Sequence, residues 1–169
     1  MGVFDGISKI TIVCAAVTGL AFLLHIIGYA SAYWIKTDYH NEGLWYACAT
    51  INTQTLSATV CGKINAVDDW FRVVQAFETL GFLALLAACV VIVLKLFVMK
   101  EQKMLVIVRL LLLFGAAGCI LLGIIIYGAE IPSTDYGFAF VLCIIAALIS
   151  LAAGGVTFFE LRGGINTPS

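Results

Sequence analysis

The side chains able to do chemistry in this chain are six cysteines, two histidines and ten carboxylates. Paired thiols can form a disulfide or hold a metal, an imidazole beside a carboxylate can relay a proton or clamp two helices, and neighbouring carboxylates can share acid and base duties. Cys48 and Cys61 fall within one polar stretch, residues 34–61, together with His40. His40 is the only histidine near them, too few ligands for a zinc site. Asp68 and Asp69 are adjacent, so their carboxylates need not face one another, and a solvated edge is expected there. His25 and Glu78 lie instead inside long apolar runs, where an ionisable residue is costly and needs a partner. No nucleophile elbow, phosphate loop or HExxH occurs. The chain is read as non-enzymatic, with no cofactor, no metal and no small-molecule substrate.

What surrounds these residues decides their chemistry. The chain is 63% hydrophobic and only 11% charged, against about 25% charged in a soluble domain, so part of its solvent must be lipid. Nine basic residues face ten acidic ones with no basic stripe, which excludes nucleic acid as a partner. Four apolar runs are expected to span the bilayer, at about residues 10–33, 71–97, 104–127 and 136–159, with loops at about 34–70 and 128–135. The first run covers about 24 residues, or ~36 Å of helix, enough to cross a ~30 Å hydrocarbon core. The apolar region of a cleaved signal is only about 7–15 residues, so a retained first helix is expected. The tail, residues 160–169, contains Gly163, Gly164 and Pro168 and is expected to be disordered.

An even number of spans puts both termini on one side. Lys9, Lys95, Lys100, Lys103, Arg109 and Arg162 share that side, and Lys36, Lys63 and Arg72 lie opposite. The bias makes the termini cytoplasmic and the 34–70 loop extracellular or lumenal. Tyr33, Trp34, Trp70 and Phe71 then stand at the junctions, where aromatic rings favour the headgroup level. Of the six cysteines only Cys48 and Cys61 face the oxidising compartment, so a disulfide between them is expected. Cys14, Cys89, Cys119 and Cys143 read as small apolar packing residues.

The long loop is rich in Trp, Tyr, Ile, Val and Thr, with strands expected at 33–39, 43–49 and 57–63. Gly43 is expected to relieve crowding beside Trp34 and Trp45. His25 and Glu78 both sit about 12–14 Å below the outer boundary. A His25–Glu78 hydrogen bond clamping the first two helices is expected. Arg109, early in the third span, is expected to snorkel to the headgroups, with a salt bridge to Glu101 or Glu160 as the alternative. Small residues recur at Gly115, Cys119 and Gly123 and at Ala146, Ser150 and Gly154, stripes expected to let helices of the bundle approach closely.

Trp34, Gly43-Leu44-Trp45, Cys48 and Cys61 between the first two of four spans resemble the signature of the claudin, peripheral myelin protein and epithelial membrane protein superfamily. The resemblance covers nearly the whole chain and lies closer to the myelin and epithelial membrane protein branch. Gln75 stands where claudins carry Arg, and Thr134 to Ala139 read like the start of the fourth span in that branch. The resemblance implies a membrane α-helical fold, a left-handed four-helix bundle carrying a small antiparallel extracellular sheet. Most of that sheet would come from the first loop, with one strand from the second. It also implies a plasma-membrane protein that organises cell–cell contacts at junctions by binding itself in cis or trans, or alternatively an auxiliary subunit of a channel or receptor complex.

Overall fold

A computed structural model of the protein describes residues 9–52, 57–65, 67–98, 102–132 and 135–165. Among these, the four apolar runs are helices: α1 (Lys9–Ala30), α2 (Asp69–Phe97), α3 (Lys103–Glu130) and α4 (Phe138–Ile165). Each is long and apolar enough to cross a bilayer. At 1.5 Å per residue the 29 residues of α2 extend about 44 Å, so its ends project beyond a ~30 Å hydrocarbon core. Residues 160–165 continue α4 by more than a turn, which corrects the expected disordered tail. The continuation is held by Glu160, whose side chain is committed to three other helices (below). Residues 166–169 lie outside the described residues.

The helices close a ring in which α1 packs mainly on α4 and α2 on α3, with α3–α4 and α1–α2 completing it. The buried face of each helix is lined by small or branched residues, among them Ala21, Leu85, Ala88, Leu113, Ala116, Ala117, Ile120, Ala146 and Ala147. Leu20, Leu23, Leu80, Leu83, Leu111, Ile125 and Leu148 point outward and are exposed. In water this would be an aggregation surface; in lipid it is the solvent-compatible face. The proposed stripes divide accordingly. Ala146 and Ser150 are buried, Ser150 Oγ donates to the Leu113 carbonyl at 2.9 Å, and Gly154 meets the Phe114 ring. On α3 Gly123 packs against Glu78 and Cys119 is half-buried, whereas Gly115, one residue or about 100° around the helix from buried Ala116, has open space beside it.

At one end of the bundle stands a four-stranded antiparallel sheet in the order β1 (Ile35–Lys36), β2 (His40–Glu42), β3 (Tyr46–Asn52), β4 (Ser57–Lys63). The expected strand at 33–39 is in fact a hairpin. Thr37 N–H donates to the His40 carbonyl at 2.8 Å and His40 N–H donates to Thr37 Oγ1 at 3.1 Å, so the threonine hydroxyl supplies a turn that needs no glycine or proline. Among the described residues the second loop adds an isolated bridge, Ile35 to Tyr136, and no strand of the sheet. Lys36 N–H donates to Asp135 O at 3.0 Å and Gly137 N–H to Trp34 O at 2.8 Å. These bonds tie the start of α4 to the base of the sheet.

Cys48 and Cys61 are direct partners across β3 and β4 and are joined by a disulfide, with a sequence separation of 13. For a loop of that size the chain-entropy model gives about 3 kcal/mol of stabilisation. Reduction, or Cys48→Ser, is therefore expected to lower the unfolding free energy of the detergent-solubilised chain by roughly that amount. Protease cleavage within the sheet, followed with and without reductant, checks this, and an unchanged cleavage rate would show that the strands hold without the bond.

Candidate functional site

Three sets of side chains concentrate the polar chemistry: the base of the sheet, a buried group beneath it, and a charged node at the opposite end of the bundle.

The base of the sheet is built on Trp34, which is fully buried. Its indole N–H donates to the Gly28 carbonyl at 3.0 Å, filling an acceptor left open near the end of α1. Its ring meets Tyr127 and Phe140 edge-on, at centroid distances of 4.9 and 5.5 Å. Phe71 is 4% exposed. Trp34 and Phe71 stand at the junctions of spans and sheet, as expected, but sheet and helices enclose them there, so their rings meet other aromatic rings. Gly43 is likewise reassigned. A Cβ there would stand 2.1 Å from Ser31 O and 2.6 Å from Ala32 Cα, so glycine admits the chain leaving α1 rather than easing aromatic crowding. Leu44 is fully buried, and its carbonyl accepts from Gln75 Nε2 at 2.6 Å. Trp45 packs edge-on to Tyr29 at 5.3 Å, which in turn stacks on Phe82. Gln75, noted in the sequence only as standing where claudins carry Arg, is a lone amide inside an apolar run and ties that run to the loop.

Beneath the sheet, His25 of α1 and Glu78 of α2 are both fully buried. A His25–Glu78 hydrogen bond does join the two helices, but it runs to the main chain of Glu78 and not to its carboxylate. His25 Nε2 bonds to the main-chain carbonyl of Glu78 at 3.3 Å, and Nδ1 stands 3.8 Å from Glu78 Oε2, beyond hydrogen-bonding range. The helices approach closely enough for the ring to reach the backbone of α2. Cys143 of α4, expected only to pack, joins the group: one donor atom of each of His25, Glu78 and Cys143 lies within 4.8 Å of the others.

At the opposite end, Glu160 of α4 takes ion pairs from Lys95 of α2 and Arg109 of α3, and accepts from Thr11 Oγ1 of α1 at 2.9 Å. All four helices therefore meet at one carboxylate. Arg109 is fully buried, so the snorkelling expectation is corrected in favour of the salt bridge to Glu160. The guanidinium lies on the inward line of α3 with Val106 and Leu113, and a charge there has to be neutralised within the bundle. Glu101, the other partner considered, lies outside the described residues. A neighbouring group of Cys14, Thr157 and the Ala153 carbonyl extends the polar seam between α1 and α4.

The arrangement can hold a rigid sheet over a braced bundle. No curated protein matches the sequence. The family model described as PMP-22/EMP/MP20/Claudin family matches residues 7–157. The Trp34 anchor, the stapled sheet and the four spans agree with that match, and the chain belongs to the PMP-22/EMP/MP20/Claudin family, as a multi-pass membrane protein.

Proposed function

We propose that this protein is a non-enzymatic organiser of membrane contacts, acting at the plasma membrane through its sheet, with both termini cytoplasmic. The observation that carries the reading is the outer face of the β3–β4 hairpin. Ala49, Ile51, Ala58 and Val60 fall on one face by strand alternation and pairing register. Ile51 and Val60 are 56% and 59% exposed. These two branched apolar side chains lie outside the core on the part of the chain between spans, a surface that a second copy could cover. β4 is also a terminal strand, with one row of main-chain groups open to pairing. The disulfide supports an oxidising compartment on the sheet side, and the six-to-three distribution of basic residues supports cytoplasmic termini.

The test is reconstitution into vesicles with the sheet outward, followed by vesicle clustering and by cross-linking between copies. The wild type is expected to cluster, and the double variant Ile51→Asp, Val60→Asp to cluster at least about tenfold less, as expected from loss of roughly 1.4 kcal/mol or more per contact. An intact disulfide and unchanged unfolding keep the comparison clean. Wild-type vesicles that stay apart and chains that do not cross-link would sink the reading.

A second reading, an auxiliary subunit of a channel or receptor complex, is favoured by Gly115 and Gly118. Both are exposed on α3 with open space beside them, which suits close approach by a partner's helix in lipid. Native mass and co-purifying proteins after mild detergent extraction separate the two readings. A stoichiometric partner supports the subunit role, and homogeneous self-assembly supports the contact role.

A further inference from the structure

We infer that His25, Glu78 and Cys143 form a zinc-binding site that ties α1, α2 and α4 together beneath the sheet. The first support is the state of the donors. His25 Nδ1 and both carboxylate oxygens of Glu78 are buried with no hydrogen-bond partner, although both residues are fully buried. Three unpartnered polar atoms converging in an apolar interior would be costly if nothing bound between them.

The second support is the orientation of the imidazole. A carbonyl oxygen only accepts, so the bond from Nε2 to the Glu78 carbonyl places the ring proton on Nε2. Nδ1 is left with its lone pair directed at the group. Zinc-ligating histidines are held in this way, with the second ring nitrogen donating to a carbonyl or carboxylate. The bond therefore orients the ring from behind while the ligand nitrogen faces inward.

The third support is spacing. Zinc bonds of about 2.0–2.3 Å arranged tetrahedrally put neighbouring donors roughly 3.3–3.8 Å apart. Nδ1 and Oε2 are 3.8 Å apart, and the three donors lie within 4.8 Å of one another. Small side-chain rotations bring all three onto one ion. Two glycines admit the Cys143 and Glu78 side chains to the group. A Cβ at Gly28 would be 2.6 Å from Cys143 Sγ, and a Cβ at Gly123 would be 2.7 Å from Glu78 Oε1.

The chemical class follows from the donor set. One thiolate, one imidazole and one carboxylate are three zinc-type donors, a number that zinc accepts only with a water brought in as its fourth ligand, whereas calcium and magnesium take six or more oxygens. A thiolate and a carboxylate together carry two negative charges, so a divalent ion makes the loaded site neutral, the condition that low-dielectric surroundings favour. Binding releases the thiol proton, and the carboxyl proton if Glu78 is protonated, to the aqueous phase, with no change of oxidation state. Because the group is fully buried, the ion enters while the bundle assembles, and loading is coupled to folding.

The experiment is refolding of the full chain into detergent micelles or nanodiscs with Zn²⁺ or, as a spectroscopic probe, Co²⁺, followed by removal of loose metal with a chelator. One retained zinc per chain is expected. Cobalt should give a thiolate-to-metal charge-transfer band that Zn²⁺ displaces, absent from Cys143→Ser and retained in Cys89→Ser. Loss of even an outer partner of such a site costs about 10–100-fold in affinity, so Glu78→Gln and His25→Asn are each expected to weaken retention at least that much. A folded wild type that holds no metal and shows no cobalt–thiolate band overturns the site. So does a band that survives in Cys143→Ser. The wild-type measurement decides on its own if a variant fails to fold, with the Cys48–Cys61 disulfide reporting folding in each sample.

Discussion

Replacing Glu160 by Ala is expected to destabilise the bundle by about 3–5 kcal/mol, the usual cost of stripping one partner from a buried ion pair. Glu160 is the shared acceptor for Lys95, Arg109 and Thr11. Its two cations are not equivalent. The Lys95 side chain is 12% exposed and lies in the last turn of α2, so it can lead its ammonium to the headgroups. Arg109 is only 1% exposed on its side chain, and its Nε and Nη1 already lack partners, so it has no second recourse. The loss should therefore come mainly from one stranded guanidinium. The double variant Glu160→Ala, Arg109→Leu removes both charges, and most of the stability should return. Unfolding of the three proteins in mixed micelles measures this. A small loss in the single variant, or no recovery in the double one, would show that Arg109 is neutralised elsewhere.

Gly43→Ala is expected to undock the sheet from α1. Overpacking costs typically 1–3 kcal/mol where side chains can yield. Here the added methyl would meet main-chain atoms of Ser31 and Ala32, which cannot rotate away, so a loss of about 3 kcal/mol or more is expected. The shift would also pull Leu44 from its buried seat and break the bond from Gln75. Gly62→Ala is the matched control, since a Cβ there has nothing within 4 Å and β4 gains a better strand former. Sheet protection in hydrogen exchange separates them. Faster exchange of β1 and β2 amides is expected for Gly43→Ala, and equal protection in the two variants would mean that the Ser31–Ala32 segment moves freely.

What could be read from the sequence was what depends on local pattern or on compartment. The four spans follow from runs of apolar residues, and the Cys48–Cys61 bond follows from those two cysteines being the pair that lies between spans. The features that escaped are those in which one local signal serves two structures. Thr37 reads as a strand residue because of its branched side chain, yet its hydroxyl closes the β1–β2 turn. Trp34 reads as an interfacial ring, and only the arrival of Tyr127 and Phe140 makes its place a core. Arg109 and Glu160 are 51 residues apart, and nothing local distinguishes an arginine that escapes to the surface from one that is enclosed. Cys143 looks like any small apolar residue until α1 and α2 bring His25 and Glu78 beside it. Gly163 and Gly164 weaken the helix signal near the end of α4, while Glu160, anchored from three other helices, sustains the helix into that region.

The bridge between Ile35 and Tyr136 has a consequence for how the protein is made. The first span has its main neighbour in the last, and the base of the sheet is sealed by residues 101 positions further along the chain. During synthesis the first three spans enter the membrane with α1 unmated along its principal face, Trp34 lacking its contact with Phe140, and Thr11 waiting for Glu160. Every nascent form short of the fourth span thus displays polar and aromatic groups that the finished molecule conceals. Delay or loss of that final insertion leaves these groups without the partners that α4 brings, so the bundle and the base of the sheet are completed together, by the last span.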